Sequence, residues 1–139
     1  MKRFEFTLNI KKFIDAPFSL GDKSKGWDCL NSLDEFYRSI GKNFPQEYRG
    51  INADNYAEKW RLGEAKQIFR EFLLSLGCSV NRNYALEGDL FVFDGEETAF
   101  PGIYLGRGHV LMVFDKGVKV LPLNLVKKIF KIVDVRRLE

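Results

Sequence analysis

Gly102-Ile103-Tyr104-Leu105-Gly106-Arg107-Gly108-His109-Val110-Leu111-Met112-Val113-Phe114 reads as two apolar strands around a glycine-flanked turn. A three-residue Gly106-Arg107-Gly108 turn pairs Leu105 with His109 and puts Phe100, Gly102, Tyr104, Val110, Met112 and Phe114 on one face. A two-residue turn moves His109 to the Phe100 face, opposite Tyr104. The flanking sequence extends the sheet. Residues 89–93 alternate into a strand closed by Asp94-Gly95, and Asp115-Lys116-Gly117 turns into a strand over 118–121. A short helix over 123–130 follows Pro122, and a last strand covers 132–135.

Upstream, the period changes to that of a helix. Leu30, Leu33, Phe36, Tyr37 and Ile40 form one stripe over residues 27–40, Gly41 ends it, and Asp28 is placed to cap its start. A loop is expected over 42–53. A second helical region spans 56–76, breaks near Gly63 and stops at Gly77, with Ile68, Phe69, Phe72, Leu73 and Leu76 on one face. Residues 15–26 are turn-rich. Phe4, Phe6, Leu8 and Ile10 alternate with polar residues, so residues 1–14 read as an N-terminal strand or arm. Helices followed by an antiparallel sheet make an α+β fold in one domain, with a helical part over 27–77 and a sheet part over 86–136.

The 139 residues suit one such domain, and 13 Phe, 5 Tyr and 2 Trp exclude a disordered chain. No apolar run reaches the length of a membrane span, and Lys2-Arg3 is followed by alternation in place of a signal-peptide core. A cytoplasmic location is therefore expected. One histidine, His109, and two cysteines, Cys29 and Cys78, cannot complete a four-ligand zinc site, so no metal or other cofactor is expected. Residues 116–139 carry seven basic residues against two acidic ones, but Lys116, Lys119, Lys127, Lys128, Lys131, Arg136 and Arg137 are interleaved with Val, Leu, Ile and Phe. That spacing reads as the solvated face of a strand-helix-strand element and argues against nucleic-acid binding.

A cysteine in the first turn of a helix meets free backbone amides and the positive end of the helix dipole. Both favour the thiolate and can hold a developing oxyanion. The alternative for Cys29 is a small buried apolar residue. Cys78, after the helix-ending Gly77, reads as a packing residue, and no disulfide is expected. Glu96 and Glu97 are solvated turn acids. The Gly106-Arg107-Gly108 loop opens no helix and so is no phosphate cradle.

The order Pro17-Phe18, Gly26-Trp27-Asp28-Cys29, Gly88-Asp89-Leu90-Phe91-Val92-Phe93, Gly102-Ile103-Tyr104-Leu105-Gly106 and Gly117-Val118-Lys119-Val120-Leu121-Pro122-Leu123 resembles the NlpC-type papain-like cysteine peptidases. The look is nearest to their short phage and prophage tail-associated members. The resemblance, over roughly residues 16–136, implies a papain-like core with Cys29 as nucleophile and Asp28 and Trp27 on the oxyanion side. Trp27 stands where the family carries a tyrosine. The resemblance places the histidine base at Phe100 and its orienting partner at Met112, so both polar members of the triad are replaced by apolar side chains. His109 is a poor substitute. In one register it faces away, and in the other it lies about 13 Å along the strand from the base position.

Two functions follow from the resemblance. One is a pseudoenzyme that keeps the fold for binding or assembly, with a phage or prophage structural protein as partner and a virion-associated location. The other is an active thiol hydrolase on peptides of cell-wall type, using Cys29 and an unidentified base. A dimer through the N-terminal strand edge is a further option, with nothing else in the sequence to support it.

Overall fold

The computed structural model describes residues 11–21, 25–52, 54–95 and 97–139. The alternating segment at 1–10 lies outside the described residues, as does Glu96. Of the segment 1–14, residues 11–14 are described: Lys11 is helical, a turn follows it, and Phe13 is fully buried in the core.

Helix α1 runs from Cys29–Ser39, followed by a small antiparallel hairpin of β1 (Glu47–Tyr48) and β2 (Ile51–Asn52). Helices α2 (Tyr56–Arg61) and α3 (Glu64–Ser75) come next, divided at Gly63, whose φ of 84° interrupts the helix where the glycine predicted a break. The rest of the chain builds a sheet: β3 (Cys78–Ser79), β4 (Leu90–Asp94), β5 (Ala99–Gly106), β6 (His109–Phe114), β7 (Gly117–Pro122) and β8 (Lys131–Arg137). Helix α4 (Leu123–Ile129) joins the last two strands. The six strands are ordered β3-β8-β4-β5-β6-β7, and every pairing is antiparallel.

The sequence reading missed two elements, β3 and the β1–β2 hairpin. Both are two-residue strands, too short to show a period. The hairpin still carried a local signal, because Arg49 and Gly50 both take positive φ, at 51° and 83°, as a tight two-residue turn requires.

The turn between β5 and β6 combines the two registers open in the sequence. Gly106 pairs with His109 across Arg107-Gly108, whereas Tyr104 pairs with Val110 and Ile103 with Leu111. Leu105 bulges, so the tip has a two-residue turn and the body keeps the three-residue register. Phe100, Tyr104, Val110, Met112 and Phe114 accordingly fall in one hydrophobic cluster.

Both faces of the sheet are covered. On the first face, Leu33, Phe36 and Tyr37 of α1 and Phe69, Phe72 and Leu73 of α3 share a core with sheet residues that include Val92, Ile103, Leu111 and Val113. On the second face, Val126 of α4 packs with Phe91, Phe93, Val110, Met112 and Val135. Residues 90–93 are therefore buried without alternation.

Polar contacts tie the ends of the sheet. Buried Asp89 accepts from Arg137 Nε at 2.9 Å and Nη2 at 2.8 Å, and from the Leu86 amide at 2.8 Å. Arg136 Nε donates to the Leu76 carbonyl at 2.8 Å, and Tyr37 Oη to the Gly88 carbonyl at 2.9 Å. Within the basic C-terminal segment, Lys116, Lys119, Lys127, Lys128 and Lys131 are exposed. Arg136 and Arg137 are structural instead, paired with Asp134 and Asp89. Among the described residues, no helix is long and apolar enough to cross a membrane.

Candidate functional site at the start of the first helix

Cys29 is the first residue of α1, and Asp28 caps it. The Asn31 amide donates to Asp28 Oδ1 at 2.7 Å, and the Asp28 amide donates to Asn31 Oδ1 at 2.6 Å, a reciprocal capping box. Asp28 Oδ2 accepts from the Gly21 amide at 2.6 Å, which ties the preceding loop to the helix start. The loop is also held by Trp27, whose amide donates to the Pro17 carbonyl at 2.9 Å and whose carbonyl accepts from the Ser19 amide at 3.2 Å.

The thiol is directed into the sheet. Cys29 Sγ donates to the Val113 carbonyl on β6 at 3.6 Å, and the side chain packs against the first-face core. Burial pushes its pKa up to about 12, and the Asp28 carboxylate adds to the rise. Both effects run against a stabilised thiolate and favour the packed, apolar reading of Cys29. Asp28 engages the Asn31 amide of the first turn and sets its own negative charge beside the sulfur of the half-buried Cys29.

The sheet does not bring the two positions expected to carry the base and its orienter to the thiol. Phe100 and Met112 lie in the second-face cluster, where Phe100 meets Phe130 with ring centroids 5.3 Å apart and Met112 is fully buried. Cys29 packs on the first face. The positions that the resemblance matches to the base and its orienter thus do not flank Cys29.

His109 is exposed at the hairpin tip, with Nδ1 2.9 Å from the Arg107 carbonyl oxygen. By strand alternation it lies on the face of Val113, but four residues away, about 13 Å along β6. It is out of reach of the thiol. The Trp27 ring packs against Phe13, centroids 4.6 Å apart, within the hydrophobic core. Cys78 is a further correction: it is exposed on β3, its Sγ 3.8 Å from the Arg137 carbonyl oxygen, and it does not pack into the core. Both cysteines are free.

One residue near the site was not singled out from the sequence. Tyr56, the first residue of α2, is buried, and its phenol is held well above its usual pKa, first by burial and then by the nearby Cys29 and Asp28. Its position at a helix start gave no periodic signal of this proximity.

The described residues also form a pocket of about 210 Å³ bounded by α1, the β1–β2 hairpin and α3. Asp28 and Tyr56 line it, and Cys29 does not.

No protein-family profile matches the sequence, and no curated protein matches it. Solved structures do. An NlpC/P60 family protein from Bacillus cereus ATCC 10987 matches with a TM-score of 0.64 at 20% identity, over 99% of this chain and 40% of that one. NlpC1 from Trichomonas vaginalis matches with a TM-score of 0.63 at 15% identity, over 97% of this chain and 43% of that one. The NlpC/p60 domain of the peptidoglycan hydrolase SagA matches with a TM-score of 0.61 at 18% identity, over 99% of both chains. This chain thus spans less than half the length of the first two neighbours. At these identities the likeness shows the fold, which is the NlpC/P60 papain-like arrangement of helices on an antiparallel sheet.

Proposed function

We propose that this chain uses the NlpC/P60 papain-like fold for binding or assembly and not for thiol hydrolysis. The observation that carries the reading is the contact of the Cys29 thiol with the Val113 carbonyl, which holds the sulfur protonated and directed into the sheet. Amide hydrolysis needs a thiolate and a proton shuttle within hydrogen-bond reach. Here the sulfur meets a backbone acceptor, and the single histidine is at the far end of β6. One neighbour in fold is a domain of a peptidoglycan hydrolase, so a peptide of cell-wall type is the starting partner class. The order of sequence motifs adds a phage or prophage tail as the setting for an assembly role.

The test uses the full chain in a Cys78→Ser background. At pH 7, Cys29 should react with iodoacetamide at least about tenfold more slowly than an unperturbed thiol of pKa about 8.5. Peptidoglycan fragments should remain uncleaved. Alkylation at the free-thiol rate, together with cleavage that Cys29→Ala abolishes, would establish the hydrolase instead.

A further inference from the structure

We infer that the outer surface of α4, together with the loop over residues 80–86, docks this protein on an anionic lipid bilayer. Both elements cover the second face of the sheet, across it from Cys29, so the inference goes beyond the binding reading above and stands whatever the thiol does.

Helical spacing puts the two ingredients of such a surface on α4. Val126 is buried against the sheet with Leu123 and Phe130 packed beside it, which fixes the inward side. Leu125 and Ile129, four residues apart, turn outward and are 47% and 67% exposed. Lys127 and Lys128 are exposed on the same helix. Lys119 of β7 pairs with Met112, which packs in the second-face cluster, so its exposed side chain leaves the sheet on this side too. The 80–86 loop extends the surface. Val80 and Ala85 pack on the second-face cluster, while Arg82, Tyr84 and Leu86 are exposed.

Charge selects an anionic occupant. Residues 116–133 contain five lysines and no acidic residue, and residues 80–86 contain Arg82 and no acidic residue. Arg82, Lys119, Lys127 and Lys128 form no ion pair among the described residues. Asp115 precedes the lysine-bearing segment in the β6–β7 turn. Asp134, which follows it, pairs with Val92 of the first-face core and is held by Arg136.

The aliphatic side chains narrow the anion to a lipid surface. Leu125 and Ile129 stand on the outward side of a helix, where a soluble polyanion would leave them in water. A bilayer admits them among its headgroups while the neighbouring lysines reach the lipid phosphates. Tyr84 suits the same boundary, because a phenol ring favours the interface between bilayer and water.

The experiment sediments the full chain with large unilamellar vesicles at low salt. Vesicles of phosphatidylcholine with about 30 mol % phosphatidylglycerol should bind it at least about tenfold more tightly than phosphatidylcholine alone, and added salt should release it. Lys127→Gln with Lys128→Gln should weaken binding about 25-fold, roughly fivefold for each charge removed. Leu125→Ser with Ile129→Ser should weaken it at least about tenfold while leaving retention on heparin-agarose unchanged. Arg61→Gln with Leu62→Ser removes an exposed cation and an exposed leucine at the end of α2, whose Trp60 packs against the first-face core, and should change neither readout. Equal binding to the two vesicle types, or no binding to either, would overturn the proposal. Vesicle binding that survives loss of Leu125 and Ile129 would also overturn it and assign the lysines to a soluble polyanion. The two vesicle types on the unaltered protein decide the proposal even if a variant fails to fold.

Discussion

The Val113 carbonyl takes the thiol hydrogen of Cys29 at 3.6 Å, joining the start of α1 to a strand residue 84 positions later in the chain. A half-buried sulfur held in this way belongs to the packing of the helix on the sheet, and its ionisation becomes a matter of stability.

The folded thiol has a pKa pushed up to about 12 from an ordinary value of 9.0. The folded state therefore holds its proton more tightly than the unfolded chain does. The resulting stability is fully present below the unfolded value and is lost as pH rises from that value towards the folded one. Between pH 9 and 11, Tm should fall more steeply for the wild-type chain than for Cys29→Ala. Parallel Tm profiles for the two proteins would contradict the assignment.

Asp28 both caps α1 and raises the pKa of the neighbouring thiol. Asp28→Asn keeps a good capping residue while removing the charge. Its Cys29 should alkylate measurably faster than wild type at pH 8. Asp28→Ala should in addition lower stability by about 1–2 kcal/mol, read by urea denaturation.

The Asp89 carboxylate is buried, and Arg137 reaches it with two nitrogens. Arg137→Met should destabilise by about 2–3 kcal/mol, because the Leu86 amide alone cannot compensate a buried charge. Adding Asp89→Asn should recover part of that loss. A double variant no more stable than the single one would show that the pair acts through packing alone.

Gly77 and Gly108 both take positive φ, at 54° and 74°, but their surroundings differ. A Cβ at Gly77 would come within 2.0 Å of the Arg137 carbonyl oxygen, whereas one at Gly108 would meet nothing within 4 Å. Gly108→Ala should therefore cost only the backbone penalty, about 1–2 kcal/mol. Gly77→Ala should cost clearly more, since β3 must shift from β8. Equal midpoints in thermal unfolding would refute the difference.

His109 is exposed, and its Nδ1 lies 2.9 Å from the turn carbonyl oxygen of Arg107. His109→Ala should change stability by no more than about 0.5 kcal/mol. It should also leave the alkylation rate of Cys29 unchanged at every pH.

The sequence by itself determined the local features of this protein. Asp28 and Gly41 bound the first helix because capping and left-handed stops are encoded within a few residues of the helix ends. Gly63 divided the second helical region, and the Gly-Arg-Gly turn joined two strands, for the same reason. Alternation also put Phe100 and Met112 on one face. What it could not supply was which face meets α1. Residues 90–93 are buried on both sides, under α1 and α3 on one and α4 on the other, so no polar face marked the outside. Only the tertiary packing decided that Phe100 and Met112 lie beneath α4 while Cys29 meets Val113. The state of the thiol depends on that choice. A helix start exposed to water favours a thiolate, whereas one pressed against a strand carbonyl and a buried carboxylate keeps its proton, and burial is a property of contacts distant in sequence.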